Sequence, residues 1–118
     1  MKQVIIIKDD KVGQGELGET MMNGILQTIL ACSQNQKELL PKSVVLLNRG
    51  VLLATKNSLI QNQKIVQTLK ALQDLGVEIL SCQTCLSYFS LEDNVLVGRV
   101  ATAMEIVPLL LSQESLSL

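Results

Sequence analysis

The sequence predicts an α/β fold: a three-layer, doubly wound, mostly parallel sheet of four to five strands with helices on both faces. Val4-Ile5-Ile6-Ile7 is a continuous β-branched run, the pattern of a strand covered on both faces, not the alternation of a half-exposed one. Such runs alternate along the chain with apolar residues at helical spacing, which builds βαβ units with right-handed crossovers. The 118 residues, 47% hydrophobic and 18% charged, suit one core that needs no staples. A single domain over 1–118 is therefore expected, with no repeat, low-complexity tract or linker to divide it.

The elements follow in order. After the first strand comes a polar glycine loop from Asp9 to Gly15. Leu17, Met21, Ile25 and Ile29 then recur every four positions and draw a helical stripe from Glu16 to about Cys32. Ser33 to Lys42, holding Pro41, leads to a second buried strand, Ser43 to Leu47, which ends in Asn48-Arg49-Gly50. Ser58-Leu59-Ile60-Gln61 has the spacing of a capping box and opens a helix carrying Ile65, Leu69 and Leu72 that closes at Gly76. Val77 to Leu80 is the third strand. Val95 to Val100 reads as a fourth, with Gly98 marking a bulge or a close approach. Thr102 and Glu105 form another capping box, for a last helix that Pro108 should kink or shorten. Ser115 to Leu118 is a candidate fifth strand.

Composition excludes several functions. A net charge of −1, one Tyr, one Phe and no Trp give neither the basic footprint nor the stacking platforms of a nucleic-acid binder. Without histidine, a Cys–His nucleophile pair, a Ser–His–Asp triad and His-based metal sites cannot be assembled. No apolar run approaches the roughly 20 residues that cross a bilayer, and Met1-Lys2-Gln3-Val4 enters a strand pattern instead of a signal sequence. A cytoplasmic location is expected, in which three cysteines read as reduced thiols.

Chemistry concentrates at Ile79-Leu80-Ser81-Cys82-Gln83-Thr84-Cys85-Leu86, where an apolar strand runs into a two-cysteine turn. The carboxyl edge of an open parallel sheet is where such folds bind ligands, and helix N-terminal amides there would favour a thiolate at Cys82. Zinc would need two further ligands, and Cys32 alone remains, so no metal is expected. Dithiol redox chemistry and plain core packing stay open for Cys82 and Cys85; Cys32 reads as core. Asn48-Arg49-Gly50-Val51 could share the cysteines' sheet edge and hold an anionic sulfur species or a partner's tail, or form an ordinary turn with a solvated Arg49. Either Arg49 or Arg99 could add positive potential. Gly13-Gln14-Gly15-Glu16-Leu17-Gly18 matches G-x-G-x-x-G, yet five residues separate it from the strand and no acidic residue ends the second strand, so no cofactor is expected. Tyr88-Phe89 reads as a small aromatic core cluster.

These blocks, with Gly76-Val77-Glu78-Ile79-Leu80-Ser81-Cys82-Gln83-Thr84-Cys85-Leu86, Val97-Gly98-Arg99-Val100 and Glu105-Ile106-Val107, resemble in order the DsrE-like domain of YedF-type, sulfurtransferase-like selenium metabolism proteins. The resemblance implies a small cytoplasmic sulfur carrier or sulfurtransferase of a relay, holding sulfane sulfur or selenium as a persulfide on Cys82 with Cys85 assisting. Asn48, Arg49, Gly50, Gln83 and Thr84 would contact substrate or partner. It also implies oligomers and a donor or acceptor protein, TusA-like, since that branch commonly joins this domain to a TusA-like one. Gln83 stands where the family usually has Gly, and Ala101-Thr102-Ala103 replaces its Thr-Asn-Met stretch. The alternative is a binding or assembly module that kept the fold and lost turnover.

Overall fold

The computed structural model describes residues 3–118. Its elements are β1 (Gln3–Ile7), α1 (Gly15–Asn35), β2 (Ser43–Leu46), α2 (Gln63–Asp74), β3 (Glu78–Cys82), α3 (Gln83–Tyr88), β4 (Arg99–Ala101), α4 (Ala103–Ser112) and β5 (Glu114–Ser117), with 3-10 turns at Lys37–Leu39 and Asn48–Ala54. All pairings are parallel and the strand order is β4-β3-β2-β1-β5. The expected α/β sheet with helices on both faces is what the chain forms.

Each inner strand sends alternate residues to opposite faces. Ile5, Ile7, Val44, Leu46 and Ile79 meet Met22 and Leu26 of α1 and Ile65, Leu69 and Leu72 of α2 in the larger core. Val4, Val45, Leu80 and Ala101 meet Ile106 of α4 in a smaller one. Burial on both sides explains why β1 and β2 read as unbroken apolar runs. The chain passes from β4 beneath the sheet through α4 to β5, on the far side of β1. No helix among the described residues is long and apolar enough to cross a membrane.

Several elements are displaced from their sequence reading. The buried stripe of α1 is Gly18, Met22 and Leu26, one residue out of phase with the expected one, and Leu17 is 71% exposed. The β1–α1 loop sets that rotation. Val12 N–H donates to the Gly18 carbonyl at 3.1 Å, and a Cβ on Gly18 would lie 2.8 Å from the Gly13 backbone, so only glycine can face the loop. Helix α2 starts at Gln63, capped by Asn62, and not at Ser58. The Asn57 side chain accepts from the amides of Leu59 and Ile60, and the Asn62 side chain donates to the carbonyls of Leu52 and Thr55. Those bonds hold the approach in a non-helical path.

The fourth strand is only Arg99–Ala101. Val95 instead bridges Thr55 in antiparallel fashion, and Gly98, at φ +73°, turns the chain into register. Gly98 lies so close to Ile79 that a Cβ would collide with the Ile79 carbonyl; the close approach read from the sequence is real. Thr102 is the N-cap of α4 but its hydroxyl makes no capping bond, because Glu105 turns to Arg99 instead. Pro108 does not end the helix, which continues to Ser112.

Replacing Gly98 with Ala is expected to destabilise the protein by about 2–4 kcal/mol, from backbone collision plus positive-φ strain. Gly24→Ala, at an α1 position with open space around it, should stabilise by roughly 0.5–1 kcal/mol. Urea unfolding midpoints check both, and similar midpoints for the two variants would refute the close approach.

Candidate functional site

Residue 82 ends β3 and is also the residue from which α3 departs. Strand β4 lies beside it, with Cys82 in register with Ala101. From this pair of neighbouring strands the chain leaves in opposite directions. Helix α3 turns toward the larger core, where Leu86 is buried, and α4 passes to the other face. That divergence is the topological switch point at which open α/β sheets form their binding crevice, and Cys82 stands on its lip. Its side chain packs partly on the α4 side, while Cys85, one turn into α3, packs partly on the larger core. Both are half-buried and reduced.

Cys82 lies near enough to Cys85 to raise its thiol. Cys85 Sγ also accepts the Asn48 N–H at 3.0 Å. Asn48 follows the end of β2 at φ +51°, a backbone turn that asparagine tolerates better than most residues. The β2–β3 register, with Leu46 opposite Ser81, brings that turn against the cysteines. Burial pushes the Cys85 thiol above its ordinary value; the Asn48 amide opposes this, and the hydrogen bond and charge of Cys82 raise it further.

The amide donor therefore acts on Cys85 and not, as the sequence suggested, on Cys82. Cys82 is the N-cap of α3 but takes no capping hydrogen bond; its side chain packs toward the α4 side of the sheet instead. The arginines are also committed. Arg49 Nε pairs with Asp10 Oδ1 at 2.8 Å and lies 3.7 Å from Asp9, while Arg99 bonds Glu105 at 2.8 Å and Glu78 at 3.5 Å. Their charges are balanced locally, so neither gives the thiols an uncompensated positive field. For Asp10, which is 5% exposed, burial raises the carboxyl pKa, but hydrogen bonds with Arg49 and Asp9 and the Arg49 charge outweigh it and hold the value low.

The other sequence candidates divide. Gly50 is buried so tightly that a Cβ would meet the Ile7 carbonyl; it lets the 3-10 turn seat on β1 and presents nothing to a ligand. Gln83 and Thr84 are exposed in the first turn of α3. Gln83 does not have a positive φ, so its side chain costs no backbone strain. Two core assignments fail. Tyr88 is 83% exposed although it meets Phe89 edge-to-face at 5.1 Å, because the short helix ends at the surface. Cys32 is exposed, since the one-residue rotation of α1 turns it outward. The sequence reading missed Asp10, whose only signal was its place beside Asp9 after an apolar strand. Among the described residues no group of three or more His, Cys, Asp or Glu side chains could hold a metal ion.

The fold and this site define a small α/β protein bearing a paired thiol at the switch point of a five-stranded parallel sheet. The DsrE/DsrF-like family model matches residues 18–114, and the chain belongs to that family, which is generally associated with sulfur relay. Among solved structures it is similar to the YchN protein of E. coli, at 19% identity over 100% of both chains with a TM-score of 0.72. A conserved protein of unknown function from Bacteroides thetaiotaomicron is similar at 14% identity over 99% of this chain and 95% of that one, TM-score 0.66. At these identities the likeness is one of fold. No curated protein matches.

Two titrations test the electrostatics. Removing Cys82 as Cys82→Ala takes away two influences that raise Cys85, so in a Cys32→Ser background the Cys85 alkylation midpoint is expected to move to lower pH. A midpoint unchanged or higher would mean that the thiols do not communicate. For Asp10 the folded pKa is depressed, so its contribution is present above the ordinary carboxylate value of about 3.9 and is lost as pH falls through the lower folded value. Asp10→Asn should cost about 1–2 kcal/mol at neutral pH and flatten the acid limb of the stability profile, as read by urea unfolding across pH.

Proposed function

We propose that this protein is a sulfur carrier that holds sulfane sulfur as a persulfide on Cys82. The observation that carries the reading is the pairing of a half-buried Cys82 at the switch point with a second thiol fixed beside it by the Asn48 amide. Membership of a family associated with sulfur relay supports it.

In loading, the Cys82 thiolate attacks the outer sulfur of a donor hydropersulfide. The donor S–S bond breaks, its thiolate leaves with the electron pair, and Cys82–S–SH remains. In delivery, an acceptor thiolate attacks the outer sulfur in the same way and regenerates the Cys82 thiolate. With no acceptor present, Cys85 as thiolate can attack the Cys82 sulfur, expelling hydrosulfide and closing a Cys82–Cys85 disulfide that a thiol reductant reopens. The raised pKa of Cys85 restrains this discharge near neutral pH, which keeps cargo on Cys82 until an acceptor docks. A TusA-like protein bearing its own cysteine is the kind of donor or acceptor such a relay uses, in the cytoplasm, and selenium can travel by the same chemistry.

A second reading rests on a different feature. Cys82 receives no amide hydrogen bond as N-cap, and α4 exposes Met104, Val107 and Leu111 on its outer side. An apolar outer face suits a helix covered by another subunit. On this reading the protein is a binding or assembly module of an oligomer without turnover.

Mass spectrometry after treatment with a hydropersulfide donor separates the two. The carrier gains one sulfur atom on the native protein and on Cys85→Ser, and none on Cys82→Ser; the Cys85→Ser adduct should also outlast the native one at high pH. Equal loading of Cys82→Ser and native protein would remove Cys82 from its role, and no loading of any form leaves the assembly module.

A further inference from the structure

At the carboxyl edge of the sheet, between α1 and α2, lies a cleft of about 550 Å³. Asp10, Lys11, Glu19, Arg49, Asn57 and Gln61 are among its lining residues. Its volume falls in the range of about 300–1,000 Å³ typical of small-molecule sites. Neither Cys82 nor Cys85 lines it, yet Arg49 does, and Arg49 follows directly on Asn48, the residue whose amide holds Cys85. The residue that lines the cleft is thus next in sequence to the one that bonds the Cys85 sulfur.

The cleft is built for both signs of charge. Asp10 fixes the Arg49 side chain through Nε, and among the described residues nothing hydrogen-bonds the two terminal guanidinium nitrogens. A guanidinium held in this way presents a planar fork suited to a carboxylate. Lys11 adds a second cation. Asp10, nearly sealed from solvent and spending one oxygen on Arg49, and Glu19 supply anions for an ammonium group. The amides of Asn57 and Gln61 can donate and accept.

We propose that this cleft binds the amino-acid head of a zwitterionic, peptide-like thiol, its carboxylate on Arg49 and Lys11 and its ammonium on Asp10 and Glu19. A free amino acid seated there would keep its sulfur inside a cleft that the cysteines do not reach. A short peptide anchored by its head can carry its sulfur out of the cleft, along the carboxyl edge of the sheet toward the end of β3. The hydropersulfide of such a thiol is then the loading donor, and this assignment rests on the carrier reading. The transfer is the one given above: the donor S–S bond breaks, the Cys82–S–SH bond forms, and the peptide leaves as its thiolate.

The test uses the intact protein, S-methylglutathione as an unreactive probe and two donors, glutathione hydropersulfide and inorganic polysulfide. Calorimetric titration should show saturable, one-site binding of the probe, weakened about five- to tenfold in Arg49→Lys, which keeps the charge and loses the fork, and in Glu19→Gln. The same variants should slow loading from the glutathione donor by a similar factor relative to loading from polysulfide. No saturable binding, or equal binding and loading by native protein and both variants, overturns the proposal. If the probe binds as described but neither donor loads Cys82, the carrier reading falls and the zwitterion site stands.

Discussion

The structure depends on the register in which β2 lies beside β3. With Leu46 set against Ser81, the residues leaving β2 arrive at the level of the residues leaving β3, and the Asn48 amide meets the Cys85 sulfur at 3.0 Å. A slip of one position would exchange the faces of every side chain on the strand. It would carry Val44 and Leu46 out of the larger core, and it would separate the amide from the sulfur. The hydrophobic burial that fixes the register thus also fixes the site. Gly50 belongs to the same arrangement, because its missing side chain lets the chain leaving β2 press onto the Ile7 carbonyl.

The electrostatics follow from how little charge is left over. Asp10 with Arg49, and Glu78 and Glu105 with Arg99, close their own accounts. The two cysteines therefore sit among backbone dipoles and half-buried apolar surface, where the Cys85 sulfur has one amide to lean on. This favours a protonated Cys85.

The strand pattern was legible because buried parallel strands announce themselves: Val4 to Ile7 and Ser43 to Leu47 have no polar interruption to misplace. Gly76 and Gly98 were legible for a related reason, since a lone glycine in such a pattern usually marks a turn or a crowded backbone. What escaped were features set by contacts between segments distant in sequence. The rotation of α1 is dictated by Gly18 pressing on its own loop, and it put the apolar stripe one residue out and brought Cys32 to the surface. The late start of α2 comes from the side-chain amides of Asn57 and Asn62 reaching neighbouring carbonyls. That two cysteines meet where a strand hands over to a helix was readable from their place in the sequence. That their amide donor comes from β2, and serves the second cysteine and not the first, requires the sheet to be assembled.

Helix α4 joins strands that sit at opposite ends of the sheet, β4 and β5. A chain whose two outermost strands are tethered by one helix running under the middle cannot shed either margin independently. Peeling β5 away pulls on the helix that closes the smaller core, and the disturbance reaches β4 and the lip that carries residue 82. Rim and centre are thereby made to open together, so the crevice inherits rigidity from a strand, Glu114–Ser117, that lies on the far side of the molecule from it.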